Sequence, residues 1–285
     1  MQTLPTQFAP PPRRVPTSLR VLSVFNGFAL IGWFVFGFGM IFFWAFVGNS
    51  DVSFITLRNA AQTHGKVTKV EETGASENDT TVMANHYEFS VAGRRFTGTS
   101  YTTGSRAAEG EDVQVEYSPG HPERSRIIGM RAGHFGPFVW FVTIFPLIGF
   151  LILWFSGKGG LKRTRLLRNG IFTTGTLIDK EPTNMTVNDR RVFELTFEFT
   201  ARDGRKCEAK ARTSTPERLQ DEHAEPLLYD PDNPSEAYLL DEVPSRPEIN
   251  GVGELVGRPV AAVLALILPV IVIGGHALYF YFKLR

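Results

Sequence analysis

The sequence predicts a membrane protein of the α+β class, with three transmembrane helices and two repeated small antiparallel β modules, sandwich or barrel-like. Three observations lead there. The stretches Val21 to Val47, Phe135 to Phe155 and Pro259 to Phe282 contain no Asp, Glu, Lys or Arg. Each runs to about 20 residues or more, enough at about 1.5 Å per residue to cross a hydrocarbon core of about 30 Å. The polar regions between them repeat: Leu57-Arg58-Asn59 returns as Leu167-Arg168-Asn169, Gly65 as Gly175, and Tyr117-Ser118-Pro119-Gly120-His121-Pro122 as Tyr229-Asp230-Pro231-Asp232-Asn233-Pro234. The offset starts at 110 residues and drifts to 112, as single-residue loop insertions would produce. Finally, Phe193, Leu195, Phe197 and Phe199 alternate with Glu194, Thr196, Glu198 and Thr200, the period-two mark of a half-buried strand.

Taken in order, residues 1–20 are rich in proline (Pro5, Pro10, Pro11, Pro12, Pro16) and lack hydrophobic periodicity, and are expected to form a disordered tail. Residues 21–48 form the first transmembrane helix. Arg13, Arg14 and Arg20 precede it as they would a signal peptide, but the apolar run is too long and lacks a small-x-small cleavage site, so an uncleaved anchor is expected. Residues 49–134 form the first β module. In it Thr56 to Gln62 is expected as a short helix, Lys66 to Glu71 as a strand and Thr73 to Thr80 as a polar loop. Tyr87, Phe89 and Val91 alternate along a second strand, Gly93 turns into a third, and Ser105 to Glu109 is expected as a short helix. Val113, Val115 and Tyr117 form the last strand, ended by the proline turn, because proline removes a backbone donor.

Residues 135–157 form the second transmembrane helix, with Pro146 expected mid-span as a kink, and residues 158–257 form a basic linker and the second module. There Asp203-Gly204 supplies a hairpin turn, Thr215-Pro216-Glu217 starts a short helix, and Leu227 and Tyr229 close the module. Residues 258–282 form the third transmembrane helix, with Pro269 mid-span. All four Trp residues (Trp33, Trp44, Trp140, Trp154) lie in the apolar stretches, and Gly37, Gly39, Gly274 and Gly275 would let helices approach closely.

Lys158, Lys162, Arg163, Arg165 and Arg168 follow the second apolar stretch, and the positive-inside rule places that end in the cytoplasm. With three single crossings the first module lies outside and the second inside; a half-crossing at Pro146 would instead put both on one side. The net charge of +1 implies no basic face for nucleic acid. Cys207 is the only cysteine, so neither module can be a disulfide scaffold.

The pattern Gly-x-Val…Tyr-x-Phe…Gly…Val-x-Val-x-Tyr-x-Pro-x-x-Pro resembles the bacterial membrane proteins of domain-of-unknown-function family 3592. Its residues are Gly65, Val67, Tyr87, Phe89, Gly93, Val113, Val115, Tyr117, Pro119 and Pro122. In the second copy they are Gly175, Phe197, Phe199, Gly204, Tyr229, Asp230, Pro231, Asn233 and Pro234. The first copy carries Ser118 and His121 where the family has Asp and Asn, and the second carries Glu222 where Gly110 stands in the first. The resemblance implies a membrane-anchored β module and brings no activity or catalytic residue.

Candidate chemistry is sparse. The histidines are His64, His86, His121, His134, His223 and His276, and none pairs at metal-ligand spacing. His121 beside Glu123 is the best metal candidate and is better read as an exposed turn. Asp230, Asp232 and Asn233 could offer oxygen ligands, but these residue types stabilise turns without metal. His276 is an ionisable group within a span. Cys207 has only Arg205 and Lys206 nearby to favour a thiolate. No nucleophile motif, phosphate loop or dinucleotide fingerprint occurs.

No catalytic, cofactor-binding or metal-ligating residue is therefore predicted, and no cofactor. The expectation is a non-enzymatic, multi-pass protein of the bacterial inner (cell) membrane whose β modules bind a partner or sense conditions at the membrane surface. Its partners are the lipid bilayer and a protein or a second copy of the chain. The alternative is a small-molecule or ion transporter using the helix bundle, for which only Asn26, Thr143 and His276 offer polar groups in the spans.

Overall fold

The computed structural model describes residues 8–104, 107–220, 224–244 and 247–283. Its chain order is α1 (Thr17–Val24), α2 (Gly27–Phe46), α3 (Ser53–Thr56), β1 (Ala61–Glu77), β2 (Thr80–Val91), β3 (Arg94–Thr103), β4 (Asp112–Ser118) and β5 (His121–Ile127). Then come α4 (Ile144–Asn169), β6 (Ile171–Val187), β7 (Arg190–Thr200), β8 (Lys206–Thr213), β9 (Glu225–Tyr229), β10 (Ala237–Leu239) and α5 (Pro259–Lys283). Three helical stretches, Gly27–Asn49, Pro137–Asn169 and Pro259–Lys283, are long and apolar enough to cross a membrane. The chain forms two compact units, one of Phe38–Leu147 with the first sheet and one of Met1–Gly37 and Ile148–Arg285 with the second.

Both sheets have five antiparallel strands. The first has the order β3-β2-β1-β4-β5 and the second β8-β7-β6-β9-β10, the same order once the strands are matched along the chain. The registers match as well. Val67 faces Tyr87 and Leu177 faces Phe197; Ala61 faces Tyr117 and Ile171 faces Tyr229; Tyr117 faces Ser125 and Tyr229 faces Ala237. Even the slips recur, between Val67 and Lys69 and between Leu177 and Asp179, then between Glu72 and Ser76 and between Pro182 and Thr186. A slip bends a strand and increases its twist, so the two 17-residue central strands, β1 and β6, curl at equivalent points. In the first sheet the curl brings the edges together: the backbone N–H of Ile127 on β5 donates to Ser100 Oγ on β3 at 2.8 Å.

The repeated glycine has a steric cause at this bend. An added Cβ at Gly65 would lie 2.8 Å from both Glu88 O and Val115 Cγ2, and one at Gly175 would lie 2.8 Å from Leu227 Cδ2. Each glycine sits where the central strand passes under the core. The cores fill the concave faces: Val67, Tyr87, Phe89, Val115 and Ile127 in the first sheet, and Leu195, Phe197, Phe199, Leu227, Tyr229 and Leu239 in the second. The alternation read from Phe193 to Phe199 is thus the inward face of β7.

Several sequence expectations are corrected. Thr73 to Thr80 is not a loop: β1 runs to Glu77 and turns through Asn78 and Asp79, whose φ values of 48° and 61° form a two-residue left-handed turn. Asn188 and Asp189 repeat it at 50° and 60°. The sequence cue is an Asn-Asp pair, a weaker turn signal than Asn-Gly because Asp adopts positive φ less readily than Gly. Nor does the proline turn end either module. β5 begins at His121 and takes Pro122 into an edge strand, where no partner needs its missing N–H, and β10 follows the second turn. Thr56 to Gln62 is not a helix; α3 stops at Thr56 and β1 begins at Ala61. The helix expected from Ser105 lies partly outside the described residues, and Ala107 to Glu109 are not helical. Pro216–Leu219 is a single 3-10 turn, and Thr215 makes no capping bond there. The Asp203-Gly204 turn is present, with Gly204 at φ 83°.

The helices differ in their ends. The first apolar run is broken at Asn26, whose Oδ1 accepts the N–H groups of Phe28 (3.0 Å) and Ala29 (3.1 Å) and so caps α2. Pro146 lies in the first turn of α4, after a 3-10 stretch over Pro137–Thr143, where its missing N–H costs nothing and no kink follows. The basic linker expected after residue 157 is instead a continuation of α4 to Asn169. Gly37 and Gly39 do meet other helices closely, against Val272 and Pro146 respectively, whereas Gly274 and Gly275 face open space.

The proline-rich segment is also corrected from residue 8 onward; residues 1–7 of the expected tail lie outside the described residues. Val15 and Leu19 are buried with Leu167, Leu228 and Leu240. Arg13 donates to Gly170 O (2.8 Å) and its backbone N–H to Arg168 O (2.7 Å), satisfying carbonyls at the end of α4. Burial lowers the Arg13 pKa to about 10. Proline composition misled here because fixed φ disfavours helix without preventing an extended segment from packing.

Candidate functional site

The residues singled out by sequence are held by local structure and do not converge. His121 Nδ1 and Glu123 Oε1 pair at 3.0 Å on the exposed edge strand β5. The Glu123 carboxyl lies below its usual range, chiefly through its own backbone N–H, with desolvation opposing and His121 adding to the effect. Among the described residues, no group of three or more His, Cys, Asp or Glu side chains could hold a metal ion. His223 and Glu222 lie outside the described residues. His86 bridges Glu71 (2.9 Å) and Thr99 (3.0 Å), and His134 stacks on Tyr101 with ring centroids 4.2 Å apart. Cys207, facing Phe199 across the β7–β8 ladder, packs against the second core.

The acidic turn is built by hydrogen bonds and by the basic helix. Asp230 is buried, and its Oδ1 accepts the Asp232 N–H at 3.0 Å while its backbone carbonyl accepts the Asn233 N–H at 3.2 Å. Its Oδ2 pairs with Arg165 at 3.0 Å, and Glu236 at the end of the turn pairs with Lys162 at 3.0 Å. The basic stretch of α4 and this acidic turn therefore partly neutralise each other. Spacing alone could not reveal this, because α4 and the β9–β10 turn meet only in the folded unit.

The polar groups named in the apolar stretches each serve their own helix. Asn26 caps α2, Thr143 Oγ1 donates to Trp140 O at 2.7 Å, and His276 Nδ1 contacts Val272 O at 2.7 Å. Bonding to the helix backbone is the usual way to satisfy a polar group in an apolar helix, although His276 Nε2 is buried without a hydrogen-bond partner among the described residues.

Sequence reading missed two features that carry charge. In the first unit Arg126 joins Asp51 (3.6 Å), Glu116 and Ser53 Oγ (2.6 Å), fastening α3 to the sheet; Asp51 is buried, so the pairing offsets its desolvation. In the second, the Arg163 Nε and Glu242 Oε2 atoms are buried without hydrogen-bond partners among the described residues. Burial pushes the Glu242 carboxyl up, more than the Arg212 N–H and the Arg163 charge pull it down. A cleft of about 400 Å³ opens beside Arg163, lined also by Asn26, Gly27, Phe28, Phe155 and Ser156. The signal in the sequence was Arg163 lying where the apolar run of α4 gives way to basic residues.

Comparison with known families matches residues 63–131 to a domain of unknown function, DUF3592. The match runs from β1 through β5 and a few residues beyond, the whole of the first sheet apart from its first two residues. No curated protein and no solved structure matches the chain.

Proposed function

We propose that this chain is a multi-pass protein of the bacterial inner membrane. In this reading it carries two copies of the DUF3592 module, which bind a protein partner or sense conditions at the membrane surface without catalysing a reaction. The observation that carries the reading is the pair of sheets with one strand order and one register, each with its concave face filled by its own side chains. A filled concave face leaves the outer faces and loops as the surfaces for recognition. Their ionisable residues form small local groups, such as Lys206 with Glu198 and Glu194 with Lys210 and Arg212, suited to a solvated surface. The three apolar helices supply the anchor.

In this reading the first module faces the exterior and the second the cytoplasm, because α4 carries its basic run directly beyond its apolar part. Such a protein can respond to one compartment and report to the other. Labelling in intact cells tests it. In a Cys207→Ser background, single cysteines replace Ser76 and Thr186, exposed residues at equivalent places near the tips of β1 and β6. A membrane-impermeant thiol reagent should modify position 76 without lysis and position 186 only after it. Equal modification of both in intact cells would put the modules on one side and remove the basis for signalling across the bilayer.

A further inference from the structure

The cleft beside Arg163 has a lining graded along the helix axes. Phe28 and Phe155, at its apolar end, are 58% and 64% exposed and stand where the apolar runs of α2 and α4 meet polar sequence. Arg163 lies eight residues beyond Phe155, about 12 Å along the helix. Its basic neighbours Lys162 and Arg165 have carboxylate partners, but Arg163 Nε is buried and makes no hydrogen bond among the described residues. The nearby acid Glu242 makes no ion pair with it among the described residues. The N-terminus of the 20-residue helix α2 opens on the same cleft at Gly27, adding partial positive charge. The walls are firm: Gly160 packs against the backbone of Ser23 and Val24, and Ser156 Oγ lies 3.4 Å from both Val24 O and Asn26 Oδ1.

We propose that this cleft binds the phosphate of an anionic phospholipid, with Arg163 as the phosphate-contacting residue and Phe28 and Phe155 flanking the glycerol and acyl chains. A guanidinium fork suits phosphate oxygens, and Arg163 lines the cleft with no carboxylate paired to it among the described residues. Inorganic phosphate presents the same oxygens, but it would leave the two phenyl walls against water. The reading rests on the apolar helices spanning a membrane, since that places the cleft at headgroup depth.

The test uses the full chain purified in detergent, titrated with dioctanoyl phosphatidylglycerol, dioctanoyl phosphatidylcholine and inorganic phosphate. Phosphatidylglycerol should bind saturably, one per chain, and about tenfold or more tighter than phosphatidylcholine. Arg163→Gln should weaken it by about tenfold, Arg163→Lys by less, and Lys158→Gln, an exposed position on the same helix, by less than about twofold. Phe28→Glu sets a carboxylate at the wall without emptying a core and should mimic Arg163→Gln, so a misfolded Gln variant leaves the test intact. Equal binding of the two lipids, or an unaffected Arg163→Gln protein, would overturn the proposal. Inorganic phosphate binding as tightly as phosphatidylglycerol would overturn the lipid as occupant. The cysteine labelling at positions 76 and 186 is read separately, so failure of either reading is distinguishable from failure of the other.

Discussion

Replacing Gly98 by Ala should loosen the first sheet, and replacing Tyr87 by Phe in the same chain should recover much of the loss. Tyr87 and Gly98 face each other across β2 and β3, and Phe197 and Ala209 occupy the equivalent pair in the second sheet. The difference follows from one hydroxyl. Tyr87 Oη shares a hydrogen bond of 2.9 Å with Ser125 Oγ, which fixes the ring over Gly98. A Cβ at Gly98 would lie 2.5 Å from Tyr87 Cζ, closer still to its hydroxyl oxygen, and 3.0 Å from Ser125 Oγ. Tyr87 is buried, so the ring has little room to withdraw, and overpacking of this kind costs about 1–3 kcal/mol.

Tyr87→Phe alone loses the hydrogen bond and leaves Ser125 short of a partner, about 1 kcal/mol. In the double variant the unanchored ring can shift as Phe197 does beside Ala209, so the combined loss should fall short of the sum by about 1–2 kcal/mol. All four Trp lie outside the sheets, in helical stretches, so fluorescence would miss the event. Amide hydrogen exchange of the β2 and β3 ladder in the full chain reads it directly. Additive losses within about 0.3 kcal/mol would refute the steric argument. A Gly98→Ala chain with unchanged protection would refute the close approach itself.

Other outcomes follow from the same structure. Phe197→Ala should destabilise the second sheet by about 3–5 kcal/mol, since the ring is fully buried; β7 amides that keep their protection would contradict that packing. Burial raises the Glu242 pKa in the folded chain, so between the ordinary carboxylate value of about 4.3 and that raised value the folded state holds the extra proton. Stability of the second sheet should therefore be greatest below this window, fall as pH rises through it, and level off above. Glu242→Gln should flatten that dependence and be the more stable form at the high-pH end; an unchanged slope in amide exchange of β8, where Arg212 N–H meets Glu242 at 3.4 Å, would show that another group is responsible.

Local chemistry determined much of this protein from sequence alone. Apolar length fixed the three helices, because a run of that length without charge has few other folded uses. Period-two alternation fixed β7 and its inward face, and the nearly constant offset foretold that both sheets would share an order and register. Those signals work because each depends on residues close in the chain or repeated along it. Only the tertiary structure showed that Pro122 sits in an edge strand, since whether a missing N–H matters depends on which neighbour the strand has. It alone showed that the proline-rich segment covers the end of α4 through Arg13, that Asp230 pairs with Arg165, and that Arg163 stands in a cleft without such a partner among the described residues. Arg163 and Arg165 are two residues apart on one helix and so point in different directions. A sequence records both as the same charge, and only the neighbours brought by folding make one a structural ion pair and the other a donor facing a cleft.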